Sequence, residues 1–93
     1  MSSENLISVN KLLDHYSIDL AFVEFLEEMQ IISIVVMEEE RFMDESEIPG
    51  LERMMRLHYD LGINYEGLDA ISHLLKRMAE MEREIKALRN RLE

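Results

Sequence analysis

Apolar residues recur along this chain at two periods, and each change of period marks a new element. From Val9 the apolar positions fall at 9, 12, 13 and 16, the spacing of one helix face. Ser8 precedes them as a candidate N-cap, which predicts a short helix over 9–16. "SID" interrupts it. Asp19 then stands as the cap of a second helix over 20–29. Phe22, Val23, Phe25, Leu26 and Met29 cluster on one side of that helix, and Glu24, Glu27 and Glu28 lie on the other. At "IISIVVM", residues 31–37, a β-branched run replaces the helical period and reads as a strand. Ile32, Ile34 and Val36 share one face; Val35 and Met37 take the other. "EEE" separates this run from "RFM", a return strand, although no glycine or asparagine marks the turn. Two helices joined by a tight turn and followed by a hairpin make a helix-turn-helix with a wing.

Helical spacing resumes at "SEIPGLERMMRLHYDLG". Ser46 is the expected cap, with Pro49 inside the first turn, where its missing N–H leaves nothing unpaired. Ile48, Leu51, Met54, Met55, His58 and Leu61 form the predicted inner stripe, and Gly62 stops the helix in the left-handed region. Asn64 should cap the last helix, and Glu66 suits its positive end. That helix meets no breaker after Gly67. Its apolar residues Ile71, Leu74, Met78, Met81, Ile85, Leu88 and Leu92 lie alternately three and four apart, a heptad repeat. Residues 68–78 are expected to pack on their own domain. From Met81 onward the small body has no surface left to cover the stripe, which is therefore assigned to dimerisation. A parallel pair would match Arg77 with Glu82 and Glu84 with Arg89; an antiparallel pair would match Arg77 with Glu84. Both are complementary, so the flanking charges leave the orientation open. The predicted organisation is a winged domain over 1–65 and a dimerisation helix over 66–93, mainly α with a small β wing.

Charge changes this picture. The chain has 93 residues and a net charge of −10. Residues 1–48 hold only Lys11 and Arg41 against twelve acids, whereas residues 49–93 balance eight of each sign. The excess negative charge therefore sits on the half that carries the helix-turn-helix and wing. Such a surface repels nucleic acid and attracts basic patches. A duplex presents one negative charge per about 1.7 Å of its axis, so a reading helix needs cations. Here the second helix offers Glu24, Glu27 and Glu28, and the wing offers Glu38, Glu39 and Glu40 against Arg41.

Other chemistry is sparse. There is no cysteine, which excludes disulfides and thiol sites. His15, His58 and His73 show no i,i+4 partner of metal-ligand type, so no metal or other cofactor is expected. No phosphate loop or catalytic triad order is present, and no enzyme activity or small-molecule substrate is expected. The eight methionines fall mostly on predicted inner faces. "MSSENLISVN" lacks the basic and apolar regions of a signal peptide, and the longest apolar run is far short of the roughly 20 residues of a membrane span. A soluble, cytoplasmic protein is expected, without a membrane partner.

The order of helix, helix, wing, helix and long heptad helix resembles the MerR superfamily, and "RLHYDLGINYEGLDAI" carries the strongest likeness. Within that superfamily the chain is similar to the CbpM family of chaperone modulators. That likeness rests on "ENLIS" near the start, "RF" in the return strand, "RLHYDLGIN" with "EG" after it, and the closing "HLL" and "ALRNRL". The resemblance implies a protein that binds the J-domain of a CbpA-type co-chaperone and blocks its engagement with a DnaK-type chaperone. J-domains as a class expose a basic helix and a His-Pro-Asp loop. The expected contact is the outer face of the second helix, Leu20, Glu24, Glu27 and Glu28, with the wing tip Glu38, Glu39 and Glu40 second. A further docking face lies on the third helix at Arg56, Tyr59 and Asp60. The rival readings are a DNA-binding transcriptional regulator of the parent superfamily and a coiled-coil adapter whose globular part caps the helix.

Overall fold

The computed structural model describes residues 5–92. Strand β1 (Leu6–Ser8) leads into α1 (Val9–Tyr16), and α2 (Leu20–Glu28) comes after a tight turn. The hairpin β2 (Val35–Met37) and β3 (Glu40–Asp44) forms the wing. A short 3-10 turn, Glu45–Glu47, opens into α3 (Ile48–Met55). The chain then runs through a π-helical turn, Arg56–Asp60, to the long α4 (Tyr65–Leu92).

The first turn is made by the backbone. Ser17 adopts φ 56°, and its N–H and that of Ile18 both donate to the Leu13 carbonyl. This closes α1 and drops Ile18 into the core. Ser8 and Asp19 stand at the N-cap positions of α1 and α2, yet neither side chain makes the capping bond that the sequence suggested. At the far end of α2, Gln30 takes φ 60°, and the amides of Ile31 and Ile32 fold back onto the Leu26 carbonyl. Those amides cannot also join a sheet. The strand expected over 31–37 therefore begins only at Val35, and Ile32 becomes a buried core anchor.

The sheet has three antiparallel strands in the order β1-β3-β2. β1 was not expected: three residues carry no period of their own, and pairing with β3 supplies the reason they are extended. Register places Ile7 opposite Met43, and these side chains face the core, where Met43 is fully buried. The hairpin turn is two residues long, Glu38 and Glu39, with φ 50° and 66°. Two positive φ values define the turn type that matches strand twist and favours Asn-Gly. Glutamates accept it at a cost of roughly 1–2 kcal/mol each.

After the wing, Asp44 replaces Ser46 as the cap. Its carboxylate accepts the Ser46 N–H at 2.9 Å and caps the 3-10 turn, two residues earlier than expected, and Pro49 lies in the first turn of α3. The π turn explains a second departure. Its extra residue rotates the next stretch of chain by about 100° relative to an α-helix. Leu61, expected on the inner stripe, is consequently 68 % exposed. Gly62 ends the turn at φ 69°, and Asn64 caps α4 by accepting the Gly67 N–H at 2.8 Å.

The core gathers Leu12, Phe22, Leu26, Met43, Leu51 and Leu68 from every helix and the wing. Beside it the aromatic rings lock α2 to the junction between α3 and α4. Phe22 stacks on His58 with centroids 5.3 Å apart, and Phe25 stacks on Tyr65 at 4.3 Å. His58 is held in turn by Nδ1–H donating to the Ile63 carbonyl at 2.7 Å.

The strained turn generates a test. Replacing Glu38 with Asn and Glu39 with Gly together should raise unfolding stability by about 1 kcal/mol, after the entropy that glycine loses on folding is allowed for. Urea midpoints check it. An unchanged or lowered midpoint would show that the turn is not strained.

Candidate functional site

Three surfaces offer chemistry. The first is acidic and spans α2 and the wing. Glu24, Glu27 and Glu28 are exposed along α2, whose inner side is occupied by Phe22, Val23 and Leu26. Leu20 is half-buried and packs against the core, so the outward face consists of the glutamates. Glu38, Glu39 and Glu40 are exposed at the wing tip. Arg41 reaches back across the gap, its guanidinium 3.3 Å from the Glu24 carboxylate. The wing's one cation is thereby matched to an acid of α2. The Asp44 carboxyl is held below the usual carboxylate range, chiefly by the Ser46 backbone N–H.

The second surface is the heptad stripe of α4. Leu68 and Ser72 are buried and Leu75 packs against the core, which fixes the first three turns to the body, and Ile71 is half-buried. Every residue from Lys76 to Leu92 is exposed. Leu74, Met78, Met81, Ile85, Leu88 and Leu92 are between 49 % and 87 % exposed, although they share one helix side. Most helical stability in proteins comes from packing an amphipathic face. A stripe of that size calls for a covering surface.

A third feature was not visible in the sequence. A cleft of about 490 Å³ opens between the end of α1 and the π turn, lined by Tyr16, Ser17, Glu52, Arg56, Tyr59 and Asp60 among others. It contains the alternative docking residues Arg56, Tyr59 and Asp60. Tyr16 Oη donates to Glu52 Oε2 at 2.9 Å across 36 positions of sequence, a pairing that no local spacing announces. Burial raises the Tyr16 phenol above its ordinary value, and the bond to Glu52 raises it further. Burial also raises Tyr59, against the opposing bond from the Asp19 backbone.

The histidines require one correction. His73 does have an i,i+4 partner: Asp69 Oδ1 lies 3.5 Å from its Nδ1, and the Asp69 carbonyl lies at 2.8 Å. Among the described residues no group of three or more histidine, aspartate and glutamate side chains is placed to hold a metal ion. No described helix is long and apolar enough to cross a membrane.

This arrangement of paired helices, hairpin wing, third helix and long terminal helix finds its match at the family level. Residues 7–90 match the family described as MerR HTH family regulatory protein. The chain belongs to that family. No curated protein and no solved structure matches it. In this MerR HTH protein α2 takes the place of a reading helix, and from Leu20 to Glu28 it holds three glutamates and no lysine or arginine.

These surfaces lead to two expected outcomes. Replacing Met81 and Ile85 with glutamate should convert a dimer to a monomer in light scattering, while the near-ultraviolet signal of the aromatic cluster persists. A wild-type protein that is monomeric at micromolar concentration would remove the dimer assignment. The second outcome concerns alkali. Tyr16 and Tyr59 have raised values when folded, so the stability they contribute is complete below the unfolded value near about 10 and is lost as pH rises through the folded values. Tyr16→Phe with Tyr59→Phe should flatten the fall in denaturant midpoint above about pH 10. An equally steep fall in the double variant would count against these phenols as its source.

Proposed function

We propose that this MerR-family chain is a chaperone modulator. It binds the J-domain of a CbpA-type co-chaperone and keeps that domain from engaging a DnaK-type chaperone. The observation that carries the proposal is the exchange of charge. Glu24, Glu27 and Glu28 of α2 and Glu38, Glu39 and Glu40 of the wing stand where a DNA reader needs cations, and Arg41 is matched by Glu24. The resemblance of Arg56–Gly67 to the CbpM family supports the same reading. In this reading two copies associate through the α4 stripe, and the acidic surface steers a positively charged J-domain to the complex. No reaction is catalysed; inhibition is occupancy.

Family membership favours a second reading, a DNA-binding transcriptional regulator. Its weakness is electrostatic. Six carboxylates brought to a duplex repel phosphate, and long-range attraction supplies most non-specific affinity. A specific gel-shift band at low salt would establish that reading. The third reading, a coiled-coil adapter, puts all binding on α4. Removing residues 80–93 separates it from the first, because a modulator so shortened still binds a J-domain through its winged body.

Titration of a J-domain into the full chain tests the proposal. Because Glu24 is engaged with Arg41, the informative reversal is Glu27→Lys with Glu28→Lys. Binding should weaken several-fold, mainly through a slower association rate, and the difference should shrink as salt is raised. Helix content should not change. Unaltered association at physiological salt would place the steering charges elsewhere.

A further inference from the structure

The register of the wing sheet separates its two faces. Ile7, Met43 and Arg41 lie on the side toward the core and α2, and Val36 shares that side at its open end, 65 % exposed. The opposite side carries Leu6 on β1, Phe42 on β3, and Val35 and Met37 on β2. None of these four belongs to the buried core or packs against it. Leu6, Val35 and Phe42 are half-buried and Met37 is 40 % exposed, so the sheet's outer side has an apolar centre. Along the central strand, Glu40 and Asp44 flank Phe42 on that same face, and the turn glutamates Glu38 and Glu39 extend the negative rim. Arg41, the one cation in the three described strands, points the other way to Glu24. The outer face therefore has carboxylates at both ends and no positive charge on its strands.

We propose that this outer face of the wing, centred on Phe42 and Val35, docks a basic amphipathic helix of a partner protein. Three strands spaced by about 4.8 Å offer a width close to that of one helix, about 10 Å. An apolar ridge on the partner covers Leu6, Val35, Met37 and Phe42, and flanking lysines or arginines meet Glu40 and the turn glutamates. A second copy of this chain is a poorer occupant, because its own wing repeats the same negative charge and its α4 stripe is bordered by both signs. The inference rests on the chaperone-modulator reading in taking that helix to be the basic helix of the J-domain. It differs from the α2 contact in assigning affinity to apolar burial on the wing and leaving to Glu27 and Glu28 only the steering of approach.

Val35→Thr with Phe42→Thr tests it, since threonine keeps strand propensity while removing the apolar centre. J-domain titration into the full-length double variant should show affinity at least about tenfold weaker, mostly through faster dissociation. Oligomeric state and aromatic near-ultraviolet signal should match the wild type. Wild-type affinity in that variant overturns the inference while leaving the modulator reading intact. A change in oligomeric state also overturns it, by making a second copy the occupant. Should the wild type bind no J-domain, the modulator reading fails, and the surface is judged with a synthetic helix bearing leucines on one side and lysines on its flanks. Amide shifts on adding that peptide should then centre on Val35, Met37 and Phe42 and vanish with a scrambled peptide of the same composition. Shifts centred on α2 or α4, or none at all, overturn the inference.

Discussion

The stacking of Phe22 on His58 is the contact on which the rest of the arrangement depends. It joins the helix that carries the acidic face to the turn that aims α4. His58 lies within the π turn, stacks on Phe22 there, and is held by its N–H, which is committed to the Ile63 carbonyl. Tyr65, at the first position of α4, lies against both Phe25 and His58. Aromatic pairs of this kind add about 0.5–1.5 kcal/mol each beyond burial. A chain of 93 residues has a stability of only several kcal/mol, so losing the cluster would free α2 and α4 together. The outward direction of Glu24, Glu27 and Glu28 follows from the burial of Phe22, Val23 and Leu26 on the other side of α2.

The carboxylates themselves contribute little to that packing. Glu27, Glu28, Glu38, Glu39 and Glu40 are exposed, and an exposed pair such as Glu24 with Arg41 is worth only ~0–1 kcal/mol. Two of them occupy a turn that asparagine and glycine would fill with less strain. Mutual repulsion adds to the cost. A sequence under pressure for stability alone would replace them easily, and their presence in a marginal domain is what a stability–function trade-off looks like at the level of single residues.

Much of this is legible in the order of residues alone. α1, α2 and α4 come from apolar period, and the excess of acids on the front half comes from counting. The failures share one cause, which is that backbone groups found partners no local pattern encodes. Ile31 and Ile32 have ideal strand chemistry, but their amides were taken by Leu26. β1 has no signal except its complement in β3. Asp44 and Ser46 are both good caps, and which one serves depends on where β3 ends. The π turn hides in an unbroken helical stripe until Leu61 is found outside it. The outer wing face is illegible for a related reason: alternation in "RFMD" separates Phe42 from Met43, but only the register with Ile7 decides which of them faces the core.

The distribution of burial also separates recognition from assembly. The last fully buried apolar residue is Leu68 and the last half-buried one is Leu75, so the winged body is complete before the exposed stretch beginning at Lys76. The distal half of α4 gains nothing from that body and, standing alone, holds its helix only marginally. Its order is therefore linked to whatever covers Met81, Ile85 and Leu88, and mass action makes that order depend on protein concentration. The wing and α2, by contrast, are positioned by contacts with the core, the π turn and the first turns of α4, up to the Lys76 ammonium that donates to the Gln30 carbonyl at 3.5 Å. In the proposed function, association through α4 raises the stability and local concentration of the acidic surfaces without altering their shape, and two such surfaces would hold a dimeric or clustered basic partner more tightly than either alone.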